Sequence, residues 1–167
     1  MPRYVKDTTG YPRLDRTNHE VKSPKDRNYN CAAWAIRIKT AQWWPELDHY
    51  WPAGAPMVES VDAFIAAYKT ERFEVCADGT LEPGFEKIVI YARFGAPVHV
   101  ARQLPDNRWT SKMGWKGQDI YHKTEFDVGG RDYGEPDTYM RRQIIVSRQG
   151  RPQNRAAARR RLQRGTP

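Results

Sequence analysis

The chain has no long apolar run: nothing in its 167 residues approaches the roughly 18 consecutive apolar positions needed to cross a bilayer. The opening MPRYVKDTTGYPR has no apolar core of the secretory kind, which leads to the expectation of a cytoplasmic protein without a membrane partner. Cysteine is scarce. Cys31 and Cys76 are the only two, too few for a disulfide framework, and neither sits at metal-ligand spacing. The sequence therefore gives no evidence for a metal or an organic cofactor. Internal repeats are missing as well. Aromatic residues are plentiful, with 6 Trp, 9 Tyr and 5 Phe, and this excludes a wholly disordered chain. The length suits one domain with a real core.

The formal charge of +8 is unevenly spread. Residues 1–27 carry 7 basic and 4 acidic side chains, residues 28–147 carry 14 and 16, and residues 148–167 carry 7 arginines and no acid. The basicity is thus an appendage. This divides the chain into an extended N-terminal arm (1–27) that wraps the domain, a domain proper (28–147), and an Arg-rich tail (148–167) expected to be disordered. Arg155, Arg159, Arg160 and Arg161 are the tail's candidates for weak contact with nucleic acid or an acidic partner. A charge block of this kind carries no base readout, so a solubilising tail is the plainer reading.

The arm, punctuated by Pro2, Pro12 and Pro24, shows neither helical nor strand periodicity. Asn30 is a good N-cap, and CAAWAIRIKTA after it has small and apolar residues at helical spacing, placing Cys31 in a first helical turn. Trp43, Trp44 and Trp51, interleaved with Pro45 and Pro52, form an aromatic loop that lines a substrate cleft or closes a core. A second helix is predicted over 60–69, capped by Ser60, with Val61, Phe64, Ile65 and Tyr68 on one face. Strands are predicted over 86–93, 98–104 and 108–112 as an antiparallel meander, with a short strand near 120–122, a looped or helical stretch around 124–133, and a last strand over 139–146. The order defines an α+β domain.

A thiol becomes nucleophilic as its pKa falls, and the first turn of a helix favours the thiolate. Cys31 occupies that position, whereas Cys76 has neither a helix start nor a neighbouring base and reads as structural. His99 is the best-placed base of the four histidines. Between Val98 and Val100 it is expected to point away from both, toward a helix packed on its own face of the sheet. Ser111, Thr110 and Asp119 are candidates to hold its tautomer. His19, in the arm, His49, in the aromatic loop, and His122, near a turn, carry no comparable signal.

Tyr29-Asn30-Cys31-Ala32-Ala33-Trp34-Ala35 resembles the nucleophile motif of NlpC/P60-type, papain-like cysteine peptidases, with Asn30 where that family has Asp. Gly95 to Leu104, the Pro-Asp-Asn turn and Arg108 to Lys112 resemble its catalytic hairpin, with His99 on the histidine and Ser111 where a third polar residue, usually His, Asn or Gln, would stand. The chain is more similar still to a group of bacterial proteins that share YNCxAWA, a YWP element, LEPGFEK and RWTSKxG. The resemblance covers about 21–142 and leaves the Arg tail outside. It implies a Cys-carrying helix on an antiparallel sheet, hydrolysis of a peptide or other amide through a thioester, and an oxyanion held by the Cys31 amide with help from Asn28, Tyr29 or Asn30. It also admits non-catalytic members whose function is binding.

Overall fold

In the computed structural model, residues 1–145 are described; Val146 and the tail, including Arg155, Arg159, Arg160 and Arg161, lie outside them. Nine elements follow in chain order: β1 (His19–Val21), α1 (Cys31–Trp34), α2 (Val61–Lys69), β2 (Glu74–Cys76), β3 (Phe85–Arg93), β4 (Ala96–Gln103), β5 (Trp109–Lys112), β6 (Asp119–His122) and β7 (Glu135–Gln143). The strands form one antiparallel sheet in the order β1-β6-β5-β4-β3-β7-β2. The α+β architecture expected from the sequence is present, with more sheet and less helix than the pattern suggested. Among the described residues no helix is long and apolar enough to cross a membrane.

Each face of the sheet has its own core. Ile88, Ile90, Val100 and Met140 pack beneath α1 and α2 with Tyr29, Ala32, Phe64, Tyr68, Trp43 and Trp51. Val89, Tyr91, Ala101, Trp109 and Ile120 pack on the other side with Leu14, Val21, Val128 and Tyr133, residues drawn from the arm and from the loop before β7. The arm is therefore structural. Its β1 pairs with β6 through His19↔His122 and Val21↔Ile120. Three residues are too few to show a strand period, which is why the sequence reads as patternless there.

α1 is much shorter than the sequence pattern predicts. It makes one turn, and by Arg37 the backbone is in the left-handed region (φ 62°), so the helix cannot continue toward Ala41. Its cap is as expected: the Asn30 side chain accepts from the Ala33 amide. The same side chain accepts from the Trp43 amide at 3.0 Å and donates Nδ2 to the Trp43 carbonyl at 2.8 Å, tying the aromatic loop to the start of α1. α2 is capped by Ser60 as the sequence predicts, and Tyr68 donates to the Ala32 carbonyl at 2.8 Å, joining the two helices. Its buried face is Ala63, Phe64, Ala67 and Tyr68, rotated from the predicted one, with Val61 at the margin.

The β3–β4 turn is Phe94-Gly95, one residue earlier than the Gly-Ala-Pro stretch suggested. Both residues have positive φ (52° and 80°), the two-residue geometry whose twist matches a hairpin. β7 starts at Glu135 rather than Tyr139 and lies against β3, leaving the meander, while β2 adds a strand at the edge that the sequence did not announce.

The triple use of the Asn30 amide explains why Asn serves here: a carboxylate keeps both acceptor roles but cannot donate to the Trp43 carbonyl. Asn30→Asp is expected to lower the urea midpoint with a loss of about 1–3 kcal/mol, the cost of a buried carbonyl left without its donor beside a new buried charge.

Candidate active site

The site forms where two strands part. β4 and β5 pair only at Arg102↔Thr110 and Gln103↔Trp109; beyond that, β5 follows β6 through Ser111↔Ile120 and Lys112↔Asp119 while β4 stays with β3. Cys31, at the start of α1, lies at this opening, and the Val100 amide reaches its sulfur. Val100 N is bonded to the carbonyl carbon of His99, so the thiol sits one peptide unit from the histidine.

His99 points away from Val100, as the alternation rule predicts, but not away from Val98. The β3–β4 register skips Val98, pairing Tyr91 with His99 and Ala92 with Pro97. Val98 consequently packs, like the His99 ring, on the side of the second core. Such a bulge puts two consecutive residues toward one face. The imidazole is turned away from Val100 and from the face that carries α1, so the expected aim at the helix surface does not hold. It is fully buried, with Tyr133 stacked on it at 3.9 Å and 5° between planes. His99 Nε2 lies 2.9 Å from Ser111 Oγ, as the sequence reading proposed, and Nδ1 has no hydrogen-bond partner. A participant that reading passed over follows: Ser111 Oγ is also 2.9 Å from His122 Nε2, and His122 Nδ1 is 2.7 Å from the Thr124 carbonyl. The available signal was the spacing of His122 on the strand after Ser111, with both side chains on one face.

Other candidates are committed elsewhere. Asp119 lies across from Lys112, on the α1 side, and accepts from the Tyr29 hydroxyl at 2.9 and 2.8 Å, so it neither orients His99 nor leaves Tyr29 free to serve an oxyanion. Thr110 takes the Trp34 indole N–H and donates to the Ile120 carbonyl. Asn30 is spent on its cap and on Trp43; Asn28 is exposed. Trp43 and Trp51 are buried in the first core and Trp44 packs at its margin, donating to Glu59, so these three close a core instead of lining a cleft. Cys76 is an edge-strand residue, partly exposed.

The electrostatics run against a resting thiolate. Cys31 is 6% exposed, and burial pushes its thiol up to about 11, outweighing the help of the Val100, Ala32 and Cys31 amides and of Lys112. The expected depression is thus reversed, because a single helical turn offers few amides against complete desolvation. Burial also holds His99 well below 6.5, with the neighbouring His122 adding to it, and holds His122 down to about 4. Both partners rest neutral. Surface cavities of about 260 and 550 Å³ lie around His19 and Tyr121 and around Gly79 and Phe126; neither is lined by Cys31 or His99. Among the described residues no group of three or more His, Cys, Asp or Glu is placed to hold a metal ion.

What covers the site is aromatic. The Tyr11 and Tyr133 hydroxyls are 3.4 Å apart with ring centroids at 4.8 Å, and both phenols lie near enough to the Cys31 sulfur for its charge to raise their own pKa values. The arm is fastened here by Arg13 Nη1 to Glu135 Oε2 at 2.8 Å and by the Asp132 amide to the Gly10 carbonyl. Gly134 lets the Tyr133 loop close on β3: its φ is +61°, and a Cβ would stand 2.1 Å from the Ala92 carbonyl oxygen.

Residues 20–141 match the family described as a domain of unknown function, DUF7689, and the chain belongs to that family. No curated protein and no solved structure matches it.

Two outcomes follow. For His122 the folded pKa lies below the unfolded one, so its contribution to stability is whole above about 6.5 and is lost as pH falls toward 4, by about 3 kcal/mol; His99 acts in the same direction, and melting temperature should fall steadily across that interval. Tyr11→Ala, which removes one layer of the cover, should speed alkylation of Cys31 by about tenfold at pH 8, read by peptide mass spectrometry, while Cys76 is unaffected.

Proposed function

We propose that the protein is a small papain-like, NlpC/P60-type cysteine hydrolase of peptide or isopeptide amide bonds. One observation supports this above the others: the His99 Nδ1, buried and without a partner, belongs to the residue whose following amide reaches the Cys31 sulfur. A buried nitrogen with nothing to bond is a costly feature that a proton-accepting role explains.

In the reaction His99 Nδ1 takes the thiol proton as sulfur attacks the amide carbon. The same nitrogen returns that proton to the departing amine as the C–N bond breaks, leaving a thioester on Cys31. Water, deprotonated by His99, then cleaves the thioester and frees the acid. The Cys31 amide is the oxyanion donor, since the Tyr29 and Asn30 side chains are spent. Because both groups rest neutral, the pair is a general-base system rather than a standing thiolate–imidazolium pair. Entry of substrate requires the Tyr11–Tyr133 cover to lift.

The near-complete burial of the sulfur favours a second reading, a non-catalytic member of the same architecture whose Arg tail engages nucleic acid or an acidic partner. A peptidyl acyloxymethyl ketone separates the two. Hydrolase chemistry predicts labelling of Cys31 about tenfold faster than Cys76, a loss of about a hundredfold on His99→Ala, and an acid limb well below pH 6.5, where the depressed His99 protonates. Equal rates at the two cysteines, or indifference to His99→Ala, would leave the binding reading standing.

A further inference from the structure

We propose that His122 is a positioning residue which, through Ser111, fixes His99 in the tautomer whose Nδ1 is free to accept a proton. The significance for chemistry rests on the hydrolase reading; the placement of the protons does not.

The far end of the chain of hydrogen bonds fixes the direction of the rest. The Thr124 carbonyl can only accept, so the His122 Nδ1 at 2.7 Å carries a hydrogen. Neutral imidazole has one N–H, which leaves His122 Nε2 as a lone pair. At 2.9 Å it accepts the single proton of Ser111. The Ser111 oxygen is then available only as an acceptor, and the His99 Nε2 at 2.9 Å must donate to it. The one proton of the neutral imidazole is thereby used, which leaves Nδ1 of His99 bare; it has no hydrogen-bond partner. Reversing any step would need a carbonyl that donates. The three side chains are almost completely buried, at 0, 0 and 1% exposure for His99, Ser111 and His122, with His122 bordering the cavity around His19 and Tyr121.

The turn that presents the carbonyl is itself held. The Thr124 amide and hydroxyl bond the Asp127 carboxylate at 2.7 and 3.0 Å, and the charges facing His122 are Asp127, which favours its protonation, and His19, which opposes it. Ser111 alone cannot do this work. A hydroxyl rotates, and with no acceptor beyond it the Ser111 proton can swing onto His99 Nε2, which moves the imidazole proton to Nδ1 and blocks the base. The Asp of a Ser-His-Asp triad fixes its histidine directly; here a serine of fixed polarity is interposed, and its polarity is set two residues beyond the next strand.

Long-range proton–nitrogen spectra of the full chain, labelled with nitrogen-15, test this at pH 7. The wild type should show His99 protonated at Nε2. His122→Phe and, separately, Ser111→Ala should shift it to a mixture or to the Nδ1 form and slow peptidyl-ketone labelling of Cys31 by about tenfold or more. His122→Gln, whose amide can accept from Ser111 and donate to the Thr124 carbonyl, should restore both. A wild-type His99 protonated at Nδ1, or a tautomer unmoved in both Ser111→Ala and His122→Phe, overturns the proposal. Should His122→Phe fail to give a dispersed amide spectrum, Ser111→Ala and His122→Gln carry the test alone. A tautomer that follows the variants while Cys31 labelling stays constant upholds the positioning role and removes the hydrolase reading.

Discussion

The parting of β4 from β5 is the constraint on which the rest depends. Had the ladder continued past Arg102, the sheet would close over the place where the Cys31 sulfur meets the Val100 amide. The bulge at Val98 lies beside it, bringing Val98 onto the face where His99 meets Ser111 of the departing strand. Backbone irregularity of this kind weakens a sheet locally, and strands tolerate it where it re-aims a side chain. Here Val98 is the residue re-aimed, while the regular part of β4 holds one buried imidazole beside a serine on β5 and one buried amide near a thiol on α1.

A sheet that opens in its middle must satisfy the polar groups it exposes internally, and both faces show how. On the α1 side, Lys112 is completely buried; its ammonium donates to the Asp26 and Gly114 carbonyls and lies 4.9 Å over the Tyr29 ring, while Tyr29 donates to Asp119. The arm takes part in this, for Asp26 belongs to it and Ser23 Oγ accepts from the Asp119 amide. On the other side the chain of His99, Ser111 and His122 is satisfied end to end, save for the one nitrogen argued to be functional. Arg102, on the same strand, also has two buried nitrogens without a partner, and a buried polar atom of this kind costs about 1–3 kcal/mol.

Much of this was legible from residues alone. The cap at Asn30, the cap at Ser60, the meander from β3 to β6 and the contact of His99 with Ser111 each rest on a local rule: a short polar side chain before an apolar run, alternation between turn pairs, or two strands joined by a tight turn. What was hidden depends on distant partners. The end of α1 after one turn is set by the backbone at Arg37, β1 and β2 are three-residue strands whose pairing comes from β6 and β7, and the facing of Val98 turns on a single skipped register position. Asp119 and Ser111 sit eight positions apart at equal distance from suspicion, and only the pleat, which sends Ser111 and Asp119 to opposite faces, separates them. The thiol pKa was misjudged for a related reason: a helix start is visible in sequence, whereas burial is not, and the Tyr11 and Tyr133 phenols near the sulfur come from 20 residues before and about 100 after.

That burial bears on how a cysteine and a histidine could work here. Desolvation penalises the charged form of each group, so it raises the Cys31 pKa and lowers that of His99, and the two effects together hold the proton on sulfur. Anything that lifts the aromatic cover and admits polar atoms reverses both at once, lowering one value and raising the other. The driving force for moving the proton from sulfur to Nδ1 thereby changes by the sum of the two shifts. A lid over an exposed thiolate would only limit access; in the proposed hydrolase a lid over a neutral pair would limit access and chemistry together, because the sulfur is not an anion until something enters. The closed state then resists oxidation and stray alkylation, since the thiolate is the form that reacts. Tyr133 stacks on the His99 ring and its hydroxyl meets that of Tyr11, and both phenols lie near the Cys31 sulfur, so in the proposed hydrolase, opening and reactivity are coupled through contacts already present in the resting structure.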